Sequence, residues 1–238
     1  MLYWLIPLIP GALLFVTFLY FRVKEERVKA VIIKGLVSLM FIATALVAWL
    51  TGSGSHNTFG VFVLVGLLFG LAGDVLLDLK YIVSKEKEMT YTVLGFFAFF
   101  FGHVFYTLGL FLKLFDFHAN IMYLIVPIII AAVLTVVTLL MEKFSEIRYK
   151  RMKPYVLIYG VALFFTTSIY MSAAIQTEFQ YPLLVIFAIS LLLFMLSDLI
   201  LNNTYFAPGF SKPVFIITNH ALYYVAQFAI AVSLYYLL

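Results

Sequence analysis

Apolar residues fall in eight runs, at 3–21, 30–50, 59–79, 92–114, 119–141, 154–175, 182–201 and 213–236, separated by short polar connections. Each run suits a helix of about 20 residues crossing a bilayer. Short connections leave no room for a separate soluble unit, so the pattern predicts one all-α, polytopic membrane bundle spanning 1–238. The third run breaks the pattern. From Gly66 to Lys80 it reads GLLFGLAGDVLLDLK, with two carboxylates, Asp74 and Asp78, inside an otherwise apolar span. Four residues apart, they share one helix face with Gly66 and Gly70, and small residues there allow a neighbouring helix to pack closely. An acid at mid-span costs roughly 2.5–3.5 kcal/mol on insertion scales, and such residues usually face a polar interior.

Composition agrees. Of 238 residues 65% are hydrophobic and 11% charged, and the mean hydropathy is +1.12, far too apolar for a soluble surface. The absence of cysteine removes disulfides, thiolate metal sites and thiol nucleophiles. The N-terminal run (MLYWLIPLIPGALL) has no basic residues before it and no small-residue cleavage site, so it reads as a retained span rather than a signal peptide.

The net charge of +4 is a topology signal rather than one for nucleic acid. Connections one, three, five and seven carry Arg22, Lys24, Arg27 and Lys29; Lys80, Lys85 and Lys87; Lys143, Arg148, Lys150, Arg151 and Lys153; and Lys212. The others hold only Lys113. The positive-inside rule then predicts cytoplasmic basic loops with both termini outside. In that frame Asp74, Asp198, His220, Lys34 and Tyr159, from five different helices, fall in one layer of the inner leaflet. His56, Asp116, His118 and Glu178 fall in the opposite connections and read as solvated loop residues.

The two halves of the chain resemble each other. Gly73-Asp74-Val75-Leu76-Leu77-Asp78 parallels Ser197-Asp198-Leu199-Ile200-Leu201-Asn202, and His103-Val104-Phe105-Tyr106 parallels His220-Ala221-Leu222-Tyr223. Ile33-Lys34-Gly35 likewise parallels Ile158-Tyr159-Gly160. The expectation is two parallel four-helix repeats, 1–118 and 119–238, with the Asp and His pairs converging near a pseudo-twofold axis.

Asp74 and Asp198 are the leading candidates for chemistry; the alternative for each is a structural pair near a helix end. Asp78 lies a turn closer to water, where an acid is tolerated. His220, Tyr223, Tyr224 and Gln227 form a stripe on one helix face, either a cavity wall or a set of interhelical hydrogen bonds. His103 and Tyr106 sit one turn apart. Lys34 either snorkels or holds a lipid phosphate or an aspartate. Tyr159 shares its face with Thr166, Thr167 and Tyr170. No G-x-S-x-G elbow, H-E-x-x-H pair or phosphate-cradling glycine loop occurs. No two histidines stand three or four apart, so nothing supports a metal site or another cofactor.

The segments GLLFGLAGDVLLDL, FFAFFFGHVFY, LLLFMLSD and NHALYYVAQF, in this order and spacing, resemble the lysoplasmalogenase family of YhhN-like membrane proteins. The resemblance covers essentially the whole chain. It implies hydrolysis of the vinyl ether bond of a lysoplasmalogen, giving a fatty aldehyde and a glycerophospho-ethanolamine or -choline, with the family's essential acids on Asp74 and Asp198. Asp78 matches no family acid. The partners implied are a lysophospholipid substrate and membrane lipids, and the address in a bacterium is the cytoplasmic membrane.

The residue types suit that chemistry on their own. Protonating the alkene carbon gives an oxocarbenium ion to which water adds, so one acid and one carboxylate are needed, as in glycosidases. Environments that push the two aspartates apart supply both roles without a metal, and the sequence leaves open which is which. Three rivals remain at this stage. One is a proton-coupled transporter, another a metal-dependent intramembrane lipid hydrolase, and the third a structural or lipid-binding protein.

Overall fold

The computed structural model describes residues 2–52, 57–114 and 122–237; His56, Asp116 and His118 lie outside them. Among the described residues there are eight long helices: α1 (Leu5–Val23), α2 (Arg27–Thr51), α3 (Thr58–Leu79), α4 (Lys85–Leu114), α5 (Met122–Phe144), α6 (Lys153–Gln176), α7 (Pro182–Phe206) and α8 (Pro213–Ser233). All eight are long and apolar enough to cross a membrane, which makes the chain a multi-pass integral membrane protein.

Helix starts follow local chemistry. The Asn57 side chain accepts the Phe59 N–H at 2.8 Å and caps α3. Prolines stand in the first turns of α6, α7 and α8, where the missing N–H is no loss. Two helices run longer than the apolar runs predict. α4 begins at Lys85 rather than 92, because charged residues with Glu86 and Glu88 in the first turn continue the helix beyond the apolar zone. α7 continues past 201 through Asn202–Phe206.

Packing closes a ring. α2 packs on α3, α3 on α4, α4 on α6, α6 on α7, α7 on α8 and α8 back on α2, while α1 lies outside on α2 and α5 outside on α6. The outer position of α1 and α5 shows in their burial, 17% and 11% of their spans against 39–56% for the rest. Their exposed Ile, Leu and Val suit contact with lipid. Neighbour relations of α1–α4 recur in α5–α8, the pattern a duplicated four-helix unit would produce.

Glycine governs the tightest contact. A Cβ on Gly66 would run into the Tyr106 ring, and one on Gly70 would lie 2.7 Å from Gln227 Nε2. α3 can therefore sit directly against these α4 and α8 side chains, which carry hydrogen bonds described below. A loop between α5 and α6, with a 3-10 turn at Lys150–Met152, folds over the end of α7. There the Arg148 N–H donates to the Phe206 carbonyl at 2.8 Å.

Candidate active site between the basic loops

α2 and α3 approach each other through charge. Lys34 Nζ lies 3.2 Å from an oxygen of Asp74 and 3.2 Å from one of Asp78. Lys34 is 4%, Asp74 1% and Asp78 3% exposed, so the pairs are withdrawn from bulk solvent. Arg22, the basic residue in the last turn of α1, forms a further ion pair with Asp78. Asp78 is thus a buried, doubly paired acid, contrary to the solvent-tolerated position its sequence depth implied. Of the alternatives for Lys34, the aspartate partner is the one the structure realises.

Asp74 receives more than the ammonium. Ser38, one turn beyond Lys34 on α2, donates its hydroxyl to Asp74 at 2.7 Å, and Tyr223 of α8 donates to the same oxygen at 2.8 Å. Behind Tyr223 stands a relay. Gln227 Nε2 donates to the Tyr223 hydroxyl at 2.9 Å, and the Tyr106 hydroxyl of α4 reaches Gln227 Oε1 at 3.5 Å. Tyr224 places its hydroxyl 3.2 Å from that of Ser38. The α8 stripe of Tyr223, Tyr224 and Gln227 therefore orients Asp74 from the protein side.

Asp198 has a sparser setting. Its carboxyl takes a hydrogen bond from the Tyr159 hydroxyl of α6, and no cation pairs with it among the described residues. α7 is fixed beside it by α8: Asn219 Nδ2 donates to the Ser197 carbonyl at 2.8 Å, and Ser197 Oγ donates back to the Asn219 carbonyl at 3.0 Å. These bonds also set His220, the next residue on α8, which packs edge-on against Phe18. The positions expected to match between the two halves make analogous contacts: α2 meets α3 through Lys34 and Asp74, and α6 meets α7 through Tyr159 and Asp198.

One cavity of about 120 Å³ collects these groups. Asp74, Asp78, Asp198, Lys34, His220 and Tyr223 all line it, with Arg22, Asn219, Tyr81 and Tyr205 among the other wall residues. A separate apolar slot of about 50 Å³ meets Asp198 from the α6 side, between Phe96, Val156, Leu163, Phe164 and Leu201. His103 reaches neither space. It is buried among the rings of Tyr106, Tyr159 and Phe194, and neither ring nitrogen has a hydrogen-bond partner among the described residues. The two histidines therefore do not converge: His220 borders the cavity and His103 backs Tyr159. Glu178, outside this region, is exposed in the α6–α7 connection. Among the described residues no three of His, Cys, Asp and Glu are grouped to hold a metal ion.

Sequence reasoning missed Arg22 and Ser38. Arg22 reads as one more topology charge beside Lys24 and Arg27. Ser38 did carry a signal, standing four residues from Lys34 and hence on the same face of α2.

No curated protein and no solved structure matches the chain. The sequence model described as the YhhN family matches residues 29–234, from the first turn of α2 to the end of α8, leaving Arg22 outside the matched segment. With most of its length so matched, including every helix of the closed ring, the chain belongs to the YhhN family.

Proposed function

We propose that the protein is a membrane-embedded lysoplasmalogenase that hydrolyses the vinyl ether of a 1-alkenyl lysophospholipid with Asp198 as general acid and Asp74 as the ionised partner. The observation supporting this reading is that, of the three carboxyl groups bordering one small cavity, Asp78 is held by two cations while Asp74 and Asp198 sit in unlike settings. Asp74 faces an ammonium and two hydroxyl donors, while Asp198 faces one tyrosine hydroxyl. Such a division suits a stabilising anion and a proton donor. The YhhN family includes lysoplasmalogenases, which adds support from a separate direction.

The steps balance with these two groups alone. Asp198 gives its proton to the alkene carbon next to the chain, leaving an oxocarbenium ion between that chain and the glyceryl oxygen. The Asp74 carboxylate steadies the cation and takes a proton from water as the water oxygen adds, giving a hemiacetal. Asp74 then returns that proton to the departing glyceryl oxygen while Asp198 takes the hemiacetal hydroxyl proton. A fatty aldehyde and a glycerophospho-headgroup leave, and both acids regain their starting forms. The apolar slot bordered by Asp198 suits the first carbons of the chain, and His220 on the cavity wall suits orientation of the water.

The test is aldehyde release from lysoplasmenyl-ethanolamine by purified protein, with and without EDTA, for the wild type and for Asp74→Asn and Asp198→Asn. Release unaffected by EDTA, and reduced by about 10²–10⁴-fold in each variant, is expected for general acid–base catalysis. Near-normal rates in either variant would overturn the mechanism. Solute uptake by proteoliposomes without any aldehyde would replace the hydrolase by a proton-coupled transporter.

A further inference from the structure

Beyond the cavity, at the end of the bundle carrying the basic connections, a vestibule of about 1090 Å³ opens between the start of α4, the α5–α6 loop and the end of α7. Six basic side chains line it, Arg27, Lys80, Lys85, Arg148, Lys150 and Arg151, against one acid, Glu88. Tyr81, Thr204, Tyr205 and Ser211 belong to the walls of both the vestibule and the cavity. The vestibule therefore adjoins the cavity that the aspartates line.

Membrane topology accounts for basic residues in these loops, but it asks nothing of their conformation, and the α5–α6 loop is folded. The Arg148 guanidinium donates to the carbonyls of Glu142, Ser145 and Ile147 at 3.1, 3.0 and 2.7 Å. Tyr149 is 1% exposed; its N–H donates to Glu142 at 3.1 Å, and its hydroxyl accepts from Asn202 of α7 at 3.1 Å. Lys153 pairs with the same Glu142 at 2.6 Å. Bracketed by these ties, Lys150 and Arg151 stand exposed on the vestibule wall, and neither forms an ion pair among the described residues. Lys80 leans over the face of Tyr205, its Nζ 3.1 Å from the ring centroid, at the boundary with the cavity. Lys34 is committed to Asp74 and Asp78, so a phosphate must find its cations elsewhere.

We propose that this vestibule is a phosphate-diester binding site, with Lys150 and Arg151 as its principal contacts, which holds the headgroup of a lysophospholipid while the chain-bearing end passes Tyr205 into the cavity. The lipid part of this statement rests on the hydrolase reading; the anion site does not. Charge-assisted contacts to a phosphate are the strong class of hydrogen bond, and an arginine adds a planar fork matched to phosphate oxygens.

Two measurements on the full-length protein test it. The first compares kcat/KM for lysoplasmenyl-ethanolamine with that for an uncharged 1-alkenylglycerol, in the wild type and in Lys150→Gln/Arg151→Gln. The preference for the phospho-substrate should fall by roughly tenfold or more, each lost contact to a charged group being worth about that factor. An unchanged preference would overturn the assignment.

The second follows thermal stabilisation by glycerophosphoethanolamine and, separately, by inorganic phosphate. Stabilisation that is stronger with the diester and lost in the variant supports a headgroup site. Stabilisation by inorganic phosphate alone, or by neither, overturns it. Diester binding by a wild type that releases no aldehyde supports the anion site while removing the hydrolase reading.

Discussion

Replacing Lys34 by methionine removes one ammonium from between two buried carboxylates. At 3.2 Å, and with an effective dielectric near 20, each Lys34–carboxylate attraction is about 5 kcal/mol before desolvation. Much of that is offset by the cost of taking the charges out of water, but the carboxylates stay buried when the lysine goes. Truncating one partner of a buried pair costs about 3–5 kcal/mol. At roughly 2–4 °C per kcal/mol for a chain of this size, Lys34→Met should lower the thermal midpoint by roughly 6–20 °C.

The double variant Lys34→Met/Asp74→Asn leaves neither charge of that pair, and Arg22 still answers Asp78. It should recover a large part of the loss, giving a coupling of about 3 kcal/mol in a double-mutant cycle. Light-scattering or fluorescence melts of the four detergent-purified proteins supply the cycle, with Lys87→Met, on the exposed first turn of α4, as control. A Lys34→Met midpoint within about 2 °C of that control, or strict additivity in the double variant, would refute the reasoning.

Other outcomes follow from the same geometry. Tyr159→Phe takes from Asp198 its hydrogen-bond donor and should lower kcat by roughly tenfold while shifting the alkaline limb of the pH–rate profile, the limb on which a general acid loses its proton; an unmoved profile would count against the pairing. Gly70→Ala places a methyl 2.7 Å from Gln227 Nε2, so Gln227 must turn away from Tyr223; activity should fall with little loss of expression, and full activity would contradict the relay. Burial pulls the Lys80 ammonium down to about 7, with Lys34 and Arg22 adding to the lowering while Asp78 and Glu88 oppose it. Its folded value lies below the unfolded one, so the penalty on the charged form is lifted as pH rises from about 7 towards 10.5. The midpoint of the wild type relative to Lys80→Met should therefore climb from about pH 7 upward, and a flat or falling difference would refute that burial effect.

The eight spans were legible because apolar length is a local property, and so were Asp74 and Asp198, each an acid within an apolar run. The α8 stripe of Tyr223, Tyr224 and Gln227 was legible too, since residues three and four apart share a face. Partner choice was not. That Arg22 answers Asp78 depends on α1 ending beside the end of α3, and no periodicity within either helix records it. Depth misled for Asp78: distance along the helix places it near the interface, whereas α1 and α2 cover it from the side. Helix ends were lost where polarity begins, as in α4, because the helix persists into charged sequence once its apolar part is anchored. For His103 the spacing was visible, but burial among Tyr106, Tyr159 and Phe194 depends on how α4 meets α6 and α7.

Arg22 and Lys34 face Asp74 and Asp78, two positive side chains against two negative ones. Their sum is zero, so a transmembrane voltage, worth about 2.3 kcal/mol per elementary charge per 100 mV, does no net work on the group as a whole. Energised and de-energised membranes should find it equally stable. A single neutralising substitution such as Asp78→Asn would leave one uncompensated charge within the field and turn an electrically silent bundle into one whose stability follows the membrane potential.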